Sequence, residues 1–541
     1  MRRSGARASG AELTLLAALT AWGLFPVVLL VLHAVNAHAR WTGADGLIGA
    51  DGVLGADQLQ YLAWARDAGS HLLASDLFTF TPSGHVYLEP AFAITGALWR
   101  IGVPLQVAYL IWKPIAALAL FAAALALARR TFGDELRPRV AVVALSLFLY
   151  APLTALFNWA QLGSGVLRFQ LYLLAYELLP ANKLWGYVPS ALGLALAVLA
   201  LLATERAIDP GLGASPGPAG FRLSVGRGPL AVAVMAAAGA SLLHPWEGPT
   251  LIVIFAGLAL WRRGRDMLSL AVPAIGAALP LGYYYLLSHT DAAWRLASHN
   301  EAIGRLSPLT LLVGLGPLAL LMLGGIERPR GVVIEQMLLL WILASFVTYF
   351  ANDAFAPHAL QGLSLPFTVL AVRAWRRVRL PAILGAVAIA LLTIPGLAYD
   401  GRKFVRVARS SIVQYYLTNS DARALDWVSA KAPPGGVLAP TPFAIDVPSQ
   451  TGRRVWVGHG YWSQDYGPRS RAADRLFDGR LQPAAAVRFV HQTGAALLVS
   501  DCQHLASLTR ALRPLLRSIH GFGCARVYVL RDQPAGRSRT R

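Results

Sequence analysis

The sequence predicts a mainly α-helical polytopic membrane protein with about 11 transmembrane helices, followed by a small soluble α/β domain. Three observations support this fold class. Of the 541 residues, 56% are hydrophobic and only 14% are charged, which is more apolar surface than a soluble domain can bury. Apolar runs of about 20 residues recur along the chain. The short segments between them are rich in arginine.

The first apolar run covers about residues 13–35 and is long enough to cross a bilayer. A cleaved signal peptide is the alternative interpretation, because Ala37-His38-Ala39 resembles a small-x-small cleavage site; the length of the run favours an uncleaved span. Further spans are predicted near residues 105–128, 139–157, 186–204, 229–243, 249–261, 267–287, 306–325, 332–350, 358–375 and 380–398.

The distribution of positive charge predicts the orientation in the membrane. The formal net charge is +20, but the arginines lie in short loops between spans, so we expect no nucleic-acid partner. Every second loop is arginine-rich, near residues 129–139, 206–227, 262–265, 328–330 and 376–379. By the positive-inside rule, the protein is a multi-pass plasma-membrane protein with a cytoplasmic N-terminus and an exoplasmic C-terminal domain.

The chain divides into two predicted domains. Residues 1–399 form the transmembrane domain, with a large first exoplasmic loop at about 36–104, and residues 400–541 form the exoplasmic domain. Alternating segments predict an α/β arrangement there, with strands at 436–439, 495–500 and 526–530, helices at 424–428 and 505–516, and a disordered tail. Its two cysteines, Cys502 and Cys524, are expected to pair if the domain faces an oxidising compartment.

One stretch after the first span combines a carboxylate with aromatic residues. Asp57 is predicted to cap the N-terminus of a helix, and Tyr61 and Trp64 follow at i+4 and i+7. That spacing places all three side chains on one helix face. Asp57 is therefore either a helix cap or a reactive carboxylate directed at a cavity.

Other ionisable side chains concentrate in the predicted exoplasmic loops, where a charge near the bilayer needs a partner or a wet cavity. They are His85 and Glu89 in the first loop, Arg168, Glu177 and Lys183 in the second, and His244 and Glu247 in the third. Simpler interpretations are a surface turn for His85 and Glu89, and a loop ion pair for Glu177 and Lys183. Their concentration on one side predicts an exoplasmic active site.

The sequence contains no His-Glu-x-x-His, no Cys-x-x-Cys, no Walker A motif and no Gly-x-Gly-x-x-Gly after a strand. No metal ligand is therefore assigned from spacing, and chemistry driven by ATP or NAD is not expected. An enzyme on the exoplasmic face would instead use an activated donor that is already in the membrane.

These features together resemble the GT-C superfamily of integral membrane glycosyltransferases. The similarity lies in Gly-Ala-Asp57-Gln-Leu-Gln-Tyr61 with Trp64-Ala-Arg66, in the Glu177…Lys183-Leu-Trp185 loop, and in the soluble domain's segments 424–434 and 451–460. The resemblance implies a polyprenyl-phosphate sugar donor, an exoplasmic glycan, lipid or protein acceptor, and Asp57 as catalytic base of an inverting transfer.

The resemblance also implies roles for the other residues. Many members have a second acidic residue near the first, for which Asp67, Asp76 and Glu89 are the candidates, and a divalent metal is left open as a cofactor. Lys183 and Arg168 are the preferred cations for the donor phosphate. Tyr61, Trp64 and other loop aromatics would stack on sugar faces or line the prenyl groove.

Two other functions are alternatives: a transporter or flippase of a lipid-linked glycan, and a non-catalytic subunit of an envelope-polymer assembly system. Transporters are typically built from repeated halves with ionisable groups at the bilayer midplane. This sequence shows no repeated halves, and its polar groups crowd to one end of the spans, which favours the enzyme.

Overall fold

A computed structural model describes residues 8–46, 53–209, 227–264, 266–300, 304–326, 332–352, 355–378, 381–410 and 412–531. Its helices, in chain order, are α1 (Gly10–Asn36), α2 (Val53–His71), α3 (Pro90–Arg100), α4 (Leu105–Leu110), α5 (Trp112–Phe132), α6 (Leu136–Phe148), α7 (Pro152–Trp159), α8 (Gly165–Leu178), α9 (Val188–Ile208), α10 (Arg227–Leu243), α11 (Glu247–Trp261), α12 (Met267–Thr290), α13 (Ala292–Asn300), α14 (Pro308–Leu323), α15 (Val333–Ala351), α16 (Ser364–Val378), α17 (Ala382–Ala408), α18 (Asn419–Ala430), α19 (Asp446–Thr451), α20 (Tyr466–Phe477) and α21 (Pro483–Thr493). The strands are β1 (Ala39–Trp41), β2 (Tyr416–Thr418), β3 (Val437–Leu438), β4 (Leu497–Ser500), β5 (Leu516–Phe522) and β6 (Ala525–Leu530).

The predicted polytopic helical fold is confirmed. Six segments of the described chain are long and apolar enough to cross a membrane: α1, α4 with α5, α9, α12, α15 and α17. The shorter helices α10, α11 and α14 are also apolar. The span predicted at 139–157 is two helices, α6 and α7, bent by 47°. The break follows from Pro152 at the start of α7, since a proline cannot continue the hydrogen-bond ladder of the preceding helix.

The chain forms two compact units. The helical unit comprises Met1–Phe25, Trp112–Leu286 and Ala302–Lys403, and the mixed unit comprises Pro26–Ile111, Leu287–Glu301 and Phe404–Arg541. The mixed unit thus combines most of the first predicted loop with the C-terminal region. The hydropathy of the sequence does not predict this association. The predicted boundary between a transmembrane and an exoplasmic domain, at residues 399 and 400, stays a prediction.

Helix α9 is the centre of the helical unit. Of its most apolar stretch, 83% is buried, and it packs against α5, α10, α11 and α15. Gly193 permits the approach of α10, because a Cβ at this position would lie 3.0 Å from Cβ of His244. This small-residue contact is typical of closely packed membrane helices, and it fixes the C-terminal end of α10, which His244 follows directly.

In the mixed unit, α2 packs on α3 through a contact between two glycines. A Cβ on Gly96 would lie 2.2 Å from the carbonyl oxygen of Ala65, and a Cβ on Gly69 would lie 2.5 Å from that of Gly96. Side chains at either position would force the helices apart. Arg66 adds a second fixed point for α2, because its Nε donates to the carbonyl of Ser449 in α19 at 2.9 Å.

The C-terminal region contains a four-stranded sheet in the order β3-β4-β6-β5, in which β3 and β4 are parallel and the other pairs antiparallel. Its core packs helices α20 and α21 on this sheet and includes Leu438, Phe477, Val490, Leu498 and Tyr528. The predicted strands and the Cys502–Cys524 disulfide are confirmed.

The predicted amphipathic helix at 505–516 is wrong. This stretch forms turns and a short 3₁₀ segment at Arg513–Leu515. Pro514 gives a physical reason, because proline disfavours helical geometry at the residue before it and lacks the N–H that an interior helical position needs. The apolar periodicity of residues 505–516 was therefore not sufficient to predict their secondary structure.

Candidate active site

Asp57 lies within α2 rather than at its start. The helix begins at Val53, so the prediction that Asp57 caps it is wrong by one turn. Its side chain is turned instead toward a residue of the C-terminal region: Oδ1 of Asp57 lies 3.0 Å from Nε2 of His459. The Asp57 side chain is 19% exposed and that of His459 is 2% exposed. The carboxylate therefore keeps contact with solvent on one side and has a fixed partner on the other.

His459 is held by its own loop. Its Nδ1 accepts the backbone N–H of Tyr461 at 3.2 Å, which leaves the proton of the neutral imidazole on Nε2, facing Asp57. Ser463 Oγ accepts from the N–H of His459 and donates to the carbonyl of Phe78 at 2.9 Å. In the sequence, His459 lies within the segment 451–460, and no motif marks it as a partner of Asp57. The preceding Gly458 permits this tight loop, because a Cβ at that position would lie 2.9 Å from Cγ2 of Val455.

The aromatic residues that follow Asp57 on α2 pack within the mixed unit. Trp64 is buried and makes edge-to-face contacts with Tyr87 and Trp462, with ring centroids 4.8 and 4.9 Å apart. Tyr61 is half-buried and stacks on Phe92 at 5.5 Å. Trp64 therefore supports the helix from within the core, whereas Tyr61 keeps an exposed part beside the Asp57 end of α2.

His85 lies beside Asp67 rather than on an isolated surface turn. Oδ2 of Asp67 lies 3.1 Å from Nδ1 of His85, and Oδ1 lies 3.0 Å from Nδ1 of His71. Asp67 Oδ2 also accepts from the backbone N–H and hydroxyl of Ser75. Asp67 was a sequence candidate for a second acidic residue, but neither histidine was predicted to join it, and the loop between them gave no signal for this.

Glu89 and Asp76 are buried carboxylates of the same loop. Glu89 caps α3, with its side chain accepting from the N–H of Ala91 at 3.3 Å, and burial raises its pKa well above the usual range. Asp76 accepts from the N–H of Phe78 at 2.8 Å, and burial raises its pKa to about 7. Both carboxyl groups therefore accept backbone hydrogen bonds that stabilise the local fold.

The candidates of the helical unit converge on Glu177. Lys183 Nζ lies 2.6 Å from one carboxylate oxygen, and Nδ1 of His358 lies 2.9 Å from the other. Lys183 also lies 4.3 Å above the ring of Tyr176. Glu177 is fully buried, which disfavours its charge, but the charges of His358 and Lys183 outweigh this and lower its pKa. The simpler interpretation of Glu177 and Lys183, an ion pair, is therefore present, and His358 is the partner that spacing did not identify.

His244 and Glu247 join the same cluster from the turn between α10 and α11. Both are buried, and Nδ1 of His244 lies 3.6 Å from a Glu247 carboxylate oxygen. The ring of His358 lies 5.3 Å from that of His244 and 4.6 Å from that of Trp246. Residues from three predicted exoplasmic loops therefore do meet in the helical unit.

Arg168 is placed differently. Its guanidinium donates to the carbonyls of Gln161 and Gly163, at 3.1 and 2.6 Å, and so closes the turn before its own helix α8. Lys113, a cation in the first turn of α5, is buried and donates to the carbonyl of Leu184. Of the two preferred phosphate ligands, Lys183 is the one that the structure joins to other ionisable groups.

The resemblance to the GT-C superfamily is confirmed at the level of the fold by two solved structures. The chain is similar to ArnT from Cupriavidus metallidurans bound to undecaprenyl phosphate, with 14% identity, a TM-score of 0.51 and coverage of 94% of this chain and 97% of that one. It is also similar to the archaeal oligosaccharyltransferase AglB from Archaeoglobus fulgidus in complex with an inhibitory peptide and a dolichol-phosphate, with 13% identity, a TM-score of 0.50 and coverage of 93% and 70%. No protein-family model and no curated protein matches the sequence.

Proposed function

We propose that this protein is a membrane glycosyltransferase that moves a sugar from a polyprenyl-phosphate donor to an exoplasmic glycan, lipid or protein acceptor. The observation that carries the proposal is the Asp57–His459 pair, a partly exposed carboxylate with a fixed buried partner, in a chain with the GT-C fold. Two solved structures of that fold contain lipid phosphates, undecaprenyl phosphate in ArnT and dolichol-phosphate in AglB, which supports a donor of this class.

The proposed reaction is a single displacement. Asp57 accepts the proton of the acceptor hydroxyl while that oxygen attacks the anomeric carbon. The bond between the anomeric carbon and the phosphate oxygen breaks, and the polyprenyl phosphate leaves with the electron pair. Phosphate is a good leaving group, so the step needs no second carboxylic acid, in contrast to glycoside hydrolysis. The product would have the opposite anomeric configuration.

His459 would keep the Asp57 carboxylate in position through its Nε2–H, since orientation of the base contributes directly to the rate. Within the described residues, Asp57 belongs to no group of three closely spaced metal-ligand side chains.

The experiment is transfer by the purified, reconstituted protein from a panel of polyprenyl-phosphate sugars to cell-envelope glycan, lipid and peptide acceptors. Wild type is compared with Asp57→Asn and with Asp426→Asn, an exposed carboxylate of the same unit that pairs with Arg40. We expect Asp57→Asn to lower the rate by about 10²- to 10⁴-fold, the usual contribution of a general base, and Asp426→Asn to leave it unchanged.

Three results would oppose the proposal at different levels. Transfer at the wild-type rate by Asp57→Asn would remove Asp57 from the role of base but keep the activity. Absence of transfer by wild type from every donor, together with movement of a lipid-linked glycan across the bilayer, would replace the enzyme with a flippase. Retention of anomeric configuration in the product would contradict a single displacement.

A further inference from the structure

Three potential metal ligands meet at the C-terminal end of α2, away from Asp57. They are Asp67 and His71 on the helix and His85 on the loop that follows it, and one ligand atom from each lies within 4.8 Å of the others. The carboxylate is central, with Oδ1 3.0 Å from Nδ1 of His71 and Oδ2 3.1 Å from Nδ1 of His85. The two imidazole rings stack with centroids 3.7 Å apart, which keeps both Nδ1 atoms on the side of Asp67.

We propose that Asp67, His71 and His85 bind a zinc ion. Two imidazole nitrogens and one carboxylate form a ligand set that suits zinc and other late first-row metals rather than calcium or magnesium, which prefer oxygen ligands. Zinc bonds of about 2.0–2.1 Å in a tetrahedral site place neighbouring ligand atoms about 3.3 Å apart. The carboxylate–imidazole separations of 3.0 and 3.1 Å, each to its own oxygen of Asp67, are close to this spacing, and one ligand atom from each of the three residues lies within 4.8 Å of the others.

The surroundings of Asp67 also suit a metal ligand. The backbone N–H of Ser75 donates to Oδ2 at 2.7 Å and its hydroxyl does so at 2.9 Å, and such outer hydrogen bonds fix the orientation of a ligating carboxylate. The Asp67 side chain is 8% exposed, while those of His71 and His85 are 48% and 35% exposed. The group is therefore anchored from inside and open on one side, which gives an ion an entry path and leaves a fourth position for water.

The zinc site is distinct from the proposed base. Asp57 and Asp67 are ten residues apart on one helix, which corresponds to about 15 Å along its axis. The ion instead ties the loop to the end of α2. A few residues after His85, that loop places Tyr87 against Trp64, at 4.8 Å, and Glu89 at the cap of α3. Zinc binding is thus expected to stabilise the mixed unit and not to supply the reacting group.

The test uses the full-length protein in detergent, carrying an affinity tag without histidine and stripped with a chelator. Zinc affinity is measured by competition with a chromophoric chelator, and metal content by elemental analysis after removal of free ion. The variants are His71→Asn, His85→Asn and Ser75→Ala. The matched control is His299→Asn, an exposed histidine that, like His71, lies in the last turn of its helix.

We expect wild type and His299→Asn to retain one zinc ion per chain, and both to melt at a higher temperature with zinc than with magnesium. His71→Asn and His85→Asn should lose the ion. Ser75→Ala should bind it about 10- to 100-fold more weakly, the usual effect of removing an outer hydrogen bond. Cobalt added to the stripped wild type should give the visible absorption of a four- or five-coordinate ion.

Equal zinc affinity in wild type, His71→Asn and His85→Asn would overturn the proposal, as would stripped wild type without measurable zinc binding or cobalt absorption. Either result would reduce the cluster to hydrogen bonds between a carboxylate and two imidazoles. The cobalt spectrum and the zinc-dependent melting of wild type do not depend on the folding of any variant. The test also does not depend on glycosyl transfer, so it stands or fails separately from the proposed function.

Discussion

Nε2 of His459 lies 3.0 Å from Oδ1 of Asp57, although the two residues are 402 positions apart in the chain. The contact has a defined direction, because Nδ1 of His459 is occupied by the N–H of Tyr461 and the Nε2 proton is directed at the carboxylate. In this orientation Oδ1 of Asp57 accepts a hydrogen bond from His459, whereas the side chain of a helix cap accepts from the N–H groups of its own helix. The geometry thus favours a reactive role for Asp57 over a capping one.

The first prediction concerns His459 as a positioning residue. His459→Ala should lower kcat for sugar transfer by about 10- to 100-fold while KM for the donor stays unchanged, because a misplaced base costs rate and not binding. His459→Gln should recover part of the loss, since its amide N–H can donate to Asp57. Steady-state kinetics with the active donor measure both values.

The control for this prediction is His491→Ala, an exposed histidine on α21 in the same unit. It should have wild-type kcat and KM. A wild-type kcat for His459→Ala, or a loss confined to KM, would contradict the positioning role.

Local signals were sufficient for much of the fold. The apolar spans and the strands of the C-terminal region depend on residues close in sequence and were predicted, and the Glu177–Lys183 pair was one of two interpretations that the spacing allowed. The helix that carries Asp57 was also found, but its start was placed one turn late because an aspartate followed by helix formers has the signature of a cap.

Local sequence signals could not predict the contacts around Glu177, Asp57 and Asp67. His358 reaches Glu177 across 181 positions, and His459 reaches Asp57 across 402. Even the 18 positions from Asp67 to His85 were too many, because the loop between them folds back through hydrogen bonds to Ser75 that no periodicity encodes. Such pairings are decided by tertiary packing, which a single sequence does not display.

The second prediction concerns the buried cluster of the helical unit. Glu177→Gln should lower the free energy of unfolding by about 3–5 kcal/mol, because it leaves the Lys183 ammonium buried without its counter-charge. Lys183→Met added to this variant should restore part of the loss, with a coupling of about 0.5–3 kcal/mol. Denaturant unfolding in detergent, applied as a double-mutant cycle, measures both.

Glu135→Gln is the matched control, since Glu135 forms an exposed ion pair with Arg376. Its effect should stay below about 1 kcal/mol. If the double variant were as unstable as the sum of the single variants, Glu177 and Lys183 would not be energetically coupled.

The third prediction follows from the buried carboxyl of Asp76. Burial raises its pKa to about 7 from an ordinary value of 3.8, so the folded state holds a proton that the unfolded state releases. Its stabilising contribution is complete below about pH 4 and is lost as pH rises to about 7. For an isolated group, this amounts to roughly 4 kcal/mol.

Asp76→Asn should therefore reduce the fall in stability between pH 4.5 and 7, as measured by thermal unfolding in detergent. The fall should be reduced and not abolished, because burial also raises the pKa of Glu89 and Asp446. Asp134→Asn, a substitution at a fully exposed carboxylate, should keep the wild-type pH dependence. An unchanged slope in Asp76→Asn would show that this carboxyl titrates normally.

The last prediction concerns the side of the membrane on which the C-terminal region lies. The Cys502–Cys524 disulfide closes a segment of 22 residues, and the positive-inside rule predicts that this region lies outside, where disulfides persist. In intact cells, a membrane-impermeant reductant followed by an impermeant maleimide should label both cysteines. A cysteine introduced by Asp134→Cys, in a predicted cytoplasmic loop, should be labelled only after the cells are lysed. Protection of Cys502 and Cys524 in intact cells, with labelling of the Asp134→Cys variant, would reverse the predicted topology and place Asp57 on the cytoplasmic side. Replacement of both cysteines by serine should in addition lower the free energy of unfolding by about 3 kcal/mol, because a closed segment of this length restricts the unfolded chain.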